Sequence, residues 1–301
     1  MAITELQREK RMQSLGASDI PTILGLNPWA SPADLWLIKT GRVEAPASVG
    51  EAAEIGNALE AGIAPLCESR MGVRLVKPTG TFAASNGVMT ANVDRMVEVA
   101  KRGSPIVEMK TTGMVEDWKD GVPARVLAQI AAQFICTTSD TATVAVLLGR
   151  FGFKLELHTI SMDDDGMIDL CKTIEDRACE WWQTHVVEDT PPGDTPSMDL
   201  LKIRKRVEGK TVPISSLLCK EYEVANKLAK EAEKRADECK ARLIAALGDA
   251  EVGDGDGWTA KFTTVNTTRF DAEALKAAYP DLAKQYVKAS SYRKLTVKES
   301  K

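Results

Sequence analysis

The sequence predicts a mixed α/β fold of the α+β kind, with a mixed central sheet flanked by helices and a smaller C-terminal unit of one long helix and short strands. Three observations carry this expectation. Residues 73–111 break into short β-rich pieces bounded by Gly, Asn and Pro, while the segments around them show the apolar repeat of helices. The resulting order of helices, strands, helix, strands, helix belongs to a sheet covered by helices. A proline-rich acidic stretch, "EDTPPGDTPSMD" at 188–199, then separates a heptad-patterned segment from everything before it. At 301 residues and 44% hydrophobic, the chain is long enough to bury a real core in one large or two ordinary domains.

Taken in order, "LGASDIPTILGLNPWASPADLWLIKTG" predicts two short helices, the second with Ser31 as cap, Pro32 in its first turn and Gly41 at its end. A longer helix is predicted over about 50–71, where Ile55, Leu59, Ile63 and Leu66 form a stripe with Glu60 beside it. The pieces "VRLVK", "TGTFAAS", "VMTANVDRMVEVA" and "SPIVEMKTT" predict a strand meander. A helix over "PARVLAQIAAQFICT", strands over "TATVAVLLGRF" and "FKLELHTIS", and an amphipathic helix over about 164–185 complete a first domain at 1–187. The linker is placed at 188–214 and an accessory region at 215–301. There Leu218, Tyr222, Ala225, Ala229, Ala232, Ala236, Cys239, Leu243 and Ala246 follow heptad spacing, which predicts a closely approaching partner. "GDGDGW" reads as a hairpin turn rather than a calcium loop, Asp271 as a helix cap, and "SYRKLTV" as a last strand.

Composition narrows the chemistry. No apolar run reaches membrane-spanning length, and "MAITELQREKRMQ" is too polar for a signal peptide, so a soluble, cytoplasmic protein is expected. Six scattered cysteines without a C-x-x-C pair argue against a zinc site, a disulfide framework and an iron–sulfur tail, and inert thiols are expected instead. With only His158 and His185 present, any metal site must be built from carboxylates, which favours Mg²⁺, Mn²⁺ or Ca²⁺. The formal charge of −4 does not exclude nucleic acid, because phosphate binding depends on local patches such as Arg8-Lys10-Arg11 and Lys202-Arg204-Lys205-Arg206.

One strand stands apart. In "SPIVEMKTTG" alternation puts Glu108 and Lys110 on one face and Val107 and Met109 on the other. The tripeptide E-x-K also occurs at Glu208-Lys210, Glu238-Lys240 and Glu299-Lys301, but only Glu108-Lys110 ends an apolar strand. Asp94 precedes Glu108 by fourteen positions with a Lys-Arg-Gly turn between them, so a hairpin can bring the carboxylates together. Adjacent carboxylates repel and call for a cation. Two acids, a lysine and helical Glu60 suit a metal and a phosphate better than a simple salt bridge does. Asp117-x-Lys119, Glu54 and Glu98 are rival acids, and Trp29, Trp36 and Trp118 are candidates to stack on bases.

This arrangement resembles the PD-(D/E)xK nuclease superfamily and, within it, the YqaJ-type viral recombinase family that includes the exonuclease of bacteriophage lambda. The resemblance runs from about Arg11 to Ile160 through five ordered motifs: "LGASDIPTILGLNPWASPADLWLIKTG", "IGNALE", "ANVDRMV", "IVEMKTT" and "VLAQIAAQ". It implies a restriction-endonuclease-like sheet, Asp94, Glu108, Glu60 and the Met109 carbonyl as metal ligands, and Lys110 placing or activating the attacking water. It further implies that Gln129 orients the site and that Arg11 and Ser18 hold a 5′-terminal phosphate. The implied activity is a Mg²⁺-dependent exonuclease, with Mn²⁺ as the alternative ion, digesting linear double-stranded DNA from the 5′ end to leave 3′ overhangs. A single-strand annealing protein as partner and a ring-shaped homotrimer are implied as well. Rival expectations are an endonuclease using the same residues and a non-catalytic DNA-end binder.

Overall fold

The structure, a computed structural model, describes residues 12–43, 50–98, 103–149, 152–287 and 295–297. The chain divides into two compact units, Met1–Arg206 and Val207–Lys301. In the first, the strands in chain order are β1 (Leu15–Gly16), β2 (Leu75–Val76), β3 (Phe82–Ala83), β4 (Met89–Ala91), β5 (Arg95–Val97), β6 (Ile106–Thr112), β7 (Thr141–Gly149) and β8 (Phe153–Ser161). Its helices are α1 (Ile20–Ile23), α2 (Pro32–Lys39), α3 (Glu51–Met71), α4 (Ala124–Thr137), α5 (Met167–Trp181) and α6 (Met198–Ile203).

The central sheet has the order β2-β5-β6-β7-β8. Only β6 and β7 run parallel; the other pairs are antiparallel, so the sheet is mixed as expected. Parallel neighbours need a crossover, and α4 supplies it. Period-two alternation on β6 feeds two cores. Ile106 joins Val144 and Val146 of β7 against Ile130 and Phe134 of α4 and Ile174 of α5. Val107 and Met109 join Ala145 against Ile63, Ala64 and Cys67 of α3. Of the stripe expected on α3, Ile63 is buried, whereas Ile55 and Leu66 are each 50% exposed. The face in use runs through Ile63 and Cys67, one turn apart.

The expected meander does not form. β3 and β4 leave the main sheet and pair with β1 in a second sheet of order β1-β4-β3, so β2 pairs directly with β5. Asn86 Oδ1 accepts from the Val88 and Met89 amides and closes the β3–β4 turn. The run "VMTANVDRMV", read as one piece, is therefore two strands interrupted at Asn92–Asp94. That interruption sets Asp94 free from the ladder just where β5 meets β6.

Helix α2 starts as its sequence demands: Ser31 Oγ accepts from the Asp34 amide at 3.1 Å and Asp34 returns the bond to the Ser31 amide at 3.1 Å, a capping box behind Pro32. Buried Lys39 at its far end reaches Asp19 at 2.7 Å and the Ser14 carbonyl at 2.7 Å, fastening the helix to the β1 segment. The predicted linker begins as part of this unit. Asp34 Oδ1 accepts from the Ser197 amide at 2.6 Å, Asp194 caps Ala33 at 3.1 Å, and Arg42 pairs with Asp189 at 2.7 Å. The amides at the α2 N-terminus need acceptors, and this acidic stretch supplies one of them.

In the second unit α7 (Ser216–Leu247) begins at Ser215, whose Oγ accepts from Leu218, and stops at Gly248 with φ +60°. β9 (Val252–Gly255) and β10 (Trp258–Lys261) form the hairpin read from "GDGDGW", turning through Asp256 and Gly257, whose φ of +81° suits glycine. α8 (Ala272–Ala278) is capped by Asp271, which accepts from Ala274 at 2.8 Å, and α9 (Pro280–Gln285) follows. Leu218, Tyr222 and Leu243 of the predicted seam are exposed. Residues 291–294 of the predicted last strand lie outside the described residues. Among the described residues no helix is long and apolar enough to cross a membrane.

Candidate active site

The site is assembled where β5 begins beside β6. The register Arg95↔Val107 and Met96↔Ile106 brings Asp94 alongside Glu108. Asp94 Oδ2 accepts from the Met109 amide at 2.7 Å, and the Asp94 carbonyl accepts from Arg95 Nη1 at 2.6 Å. The N–H and C=O of one strand residue point to the same side, so the Met109 carbonyl faces the Asp94 side too.

Glu108 is 3% exposed, and all its visible partners are donors. Its Oε1 accepts from Lys110 Nζ at 2.7 Å and from Gln129 Nε2 at 2.7 Å, and its Oε2 accepts from Gln133 Nε2 at 2.7 Å. Lys110 Nζ also donates to Gln129 Oε1 at 3.0 Å. A buried carboxylate without donors is costly, and three charge-assisted bonds offset that cost here. Gln129 and Gln133 stand four residues apart on α4, so one face of the helix presents both amides to β6. Gln133 was not among the expected site residues. Its signal was present in "AQIAAQ", a second glutamine one turn on in an otherwise apolar helix, where an unpaired amide is unfavourable.

Burial and neighbouring charge together set the proton affinities. Burial, then the neighbouring charge of Glu108, push the Asp94 carboxyl up to about 7, with Glu60 adding to the rise and the Met109 amide opposing it. Burial pulls the Lys110 ammonium down, but Glu108, Asp94 and Glu60 outweigh it and the net direction is upward. Lys110 is therefore a charged donor in this arrangement. Glu60 adds its field to Asp94 and Lys110 and pairs with Lys77 at 4.0 Å.

The other expected residues fall into place or drop out. Ser18 is exposed in the 3₁₀ turn Ala17–Asp19, and Arg11 lies outside the described residues. Asp117 is engaged by Arg125 at 2.7 Å and Glu98 by Arg74 at 3.2 Å, while Glu54 is exposed on α3. His158 lies on β8 within 3.3 Å of Glu156. Burial raises the thiols of Cys67, Cys136 and Cys171, the last two to about 12 and about 11, which keeps them protonated and inert. Cys239 is exposed.

The residues fit a hard divalent cation. Two adjacent carboxylates carry mutual repulsion that their protein surroundings leave uncompensated at Asp94, and a backbone carbonyl faces the same side. Among the described residues no group of three or more His, Cys, Asp or Glu is close enough to hold a metal. Mg²⁺ suits such a sparse set, since it binds through one or two carboxylates and keeps several waters.

Fold and site together define a mixed-sheet α/β protein with an acid–lysine edge backed by a glutamine helix. Residues 7–140 match the YqaJ-like viral recombinase domain. The chain is 30% identical over 315 residues to the uncharacterized protein YqaJ of Bacillus subtilis (strain 168), covering 98% of this chain and 96% of that one. Among solved structures it resembles LHK-Exo in complex with dAMP, at 18% identity and a TM-score of 0.50 over 62% of this chain and 94% of that one. It is also similar to the structure of LHK-Exo described as an alkaline exonuclease from Laribacter hongkongensis, at 18% identity, a TM-score of 0.48, and coverage of 62% and 96%. The chain belongs to the YqaJ-like viral recombinase family.

Proposed function

We propose that this protein is a metal-dependent 5′-to-3′ exonuclease that digests one strand of linear double-stranded DNA and leaves 3′ overhangs for recombination. The observation that carries the reading is the convergence of Asp94, Glu108, Lys110 and Gln129 at one strand edge. Membership of the YqaJ-like viral recombinase family supports it.

In this reading Asp94, Glu108 and the Met109 carbonyl hold Mg²⁺ or Mn²⁺, with Glu60 contributing negative field. The ion, when bound, polarises the phosphodiester and lowers the pKa of its water. Lys110, kept charged by Glu108, presents N–H donors to the phosphate or to the attacking water. Gln129 bridges Lys110 and Glu108 and so fixes their separation. Gln133 holds the second oxygen of Glu108 from the buried side. Arg11 and Ser18 are assigned to the 5′-terminal phosphate on sequence grounds. A DNA-threaded homotrimer and a single-strand annealing partner for the overhang belong to the same reading.

Digestion of linear 5′-phosphorylated, linear 5′-hydroxyl and covalently closed duplexes with Mg²⁺ tests it. The phosphorylated linear DNA should lose its 5′-ended strand, the circles should persist, and Lys110→Ala should slow cleavage by about 10²–10³-fold. Circles cut as fast as linear DNA would make the protein an endonuclease. No cleavage by the unmodified protein with Mg²⁺ or Mn²⁺ would make it a DNA-end binder.

A further inference from the structure

Three tryptophans were candidates for stacking, and the structure separates them. Trp36 and Trp118 are 7% and 5% exposed and belong to the core, whereas Trp29 is 67% exposed. Trp29 is nevertheless held in place. Its amide donates to Asn27 Oδ1 at 3.0 Å, and Asn27 Nδ2 donates to the buried Thr22 Oγ1 at 2.8 Å. The guanidinium of Arg125 lies 5.4 Å from the indole centroid, and Asp117 fixes that guanidinium at 2.7 Å. Asp117, Arg125 and Trp29 thus form a braced stack with indole surface left open to solvent.

Its position connects it to the site. Arg125 precedes Gln129 by four residues on α4, about 6 Å of rise, so the two stand on one face of the helix. Through Arg125, Trp29 is thus tied to the helix face whose next turn holds the glutamine that touches Glu108 and Lys110.

We propose that Trp29, braced by Arg125, is a stacking platform for a nucleobase of the DNA strand whose phosphate lies at Glu108 and Lys110. The inference rests on the nuclease reading above. An indole accepts any base on its π-face, and a guanidinium on the indole adds cation–π attraction. Asp117 offsets the Arg125 charge, and the same loop carries Glu116 and Asp120 against Lys119, which leaves the segment net acidic. That balance disfavours a phosphate at this spot and favours an uncharged base.

The test is DNA binding in EDTA, with 2-aminopurine placed at successive positions from the end of a duplex and of a single strand. The full chain, Trp29→Ala and Trp29→Phe are compared at two salt concentrations. One position should be quenched by the full chain and by Trp29→Phe but not by Trp29→Ala. The alanine variant should bind roughly 5- to 150-fold more weakly, the range for removal of a base-stacking aromatic. The slope of affinity against salt should not change, because no phosphate contact is lost. Unaltered affinity and quenching in Trp29→Ala, a changed salt slope, or no quenching at any position by the full chain would each overturn the platform. If the full chain quenches one position yet cuts no DNA with Mg²⁺, the nuclease reading fails and the platform stands.

Discussion

Asp94→Asn should stabilise the metal-free protein, and only at the pH where Asp94 is charged. The carboxyl rises from 3.8 to about 7, chiefly through burial and the charge of Glu108. An acid whose folded pKa is raised binds its proton more tightly in the native state, so stability falls as pH rises from about 4 to about 7 and stays low above that. A shift of about 3 pH units at 1.36 kcal/mol each sets a ceiling of about 4 kcal/mol. Asp94 keeps some contact with solvent, which reduces this to about 2 kcal/mol. Asparagine has no charge to bury, and its carbonyl can still accept from the Met109 amide. Thermal melts in EDTA should show the variant about 4–8 °C more stable at pH 8.5 and equal to the unmodified protein near pH 4. Adding Mn²⁺ at pH 8.5 should narrow the gap by stabilising the unmodified protein. A variant no more stable at pH 8.5, or equally stabilised at both pH values, would refute the account of an uncompensated carboxylate pair.

Other measurements probe the supports of the site. Gln133→Met removes the donor that Gln133 gives to Glu108 Oε2 and should cost about 2 kcal/mol, read as a fall in melting temperature; in a Glu108→Gln background the cost should shrink, and an unchanged cost would deny the coupling. Asp34→Ala strips acceptors from the Ser31 and Ser197 amides and should destabilise by about 1–3 kcal/mol while speeding proteolysis within 189–206; cleavage at the original rate would show that this stretch is held by something else.

Much of the site was legible because its logic is local. Alternation alone places Glu108 and Lys110 on one face, and the short spacing from Asp94 through a turn predicts a hairpin that aligns the two acids. The caps at Ser31 and Asp271 and the Asp256-Gly257 turn were legible for the same reason: each is a bond between residues a few positions apart. Gln133 was missed because a second glutamine in an apolar helix signals a need for a partner without naming one; that partner is Glu108, twenty-five positions away, whose Oε2 it meets.

Composition and periodicity by themselves determined the class of fold, the order of its elements and the shared face of Glu108 and Lys110. Only tertiary structure decided that β3 and β4 leave the main sheet, that residues 189–206 are fastened within the first unit through Asp34 and Arg42, and that Trp29, unlike Trp36 and Trp118, stays exposed. The reason is physical. Hydrogen bonding and side-chain alternation act over a few residues and leave a periodic trace, whereas strand partnership, burial and the field that raises Asp94 depend on what long-range packing brings alongside.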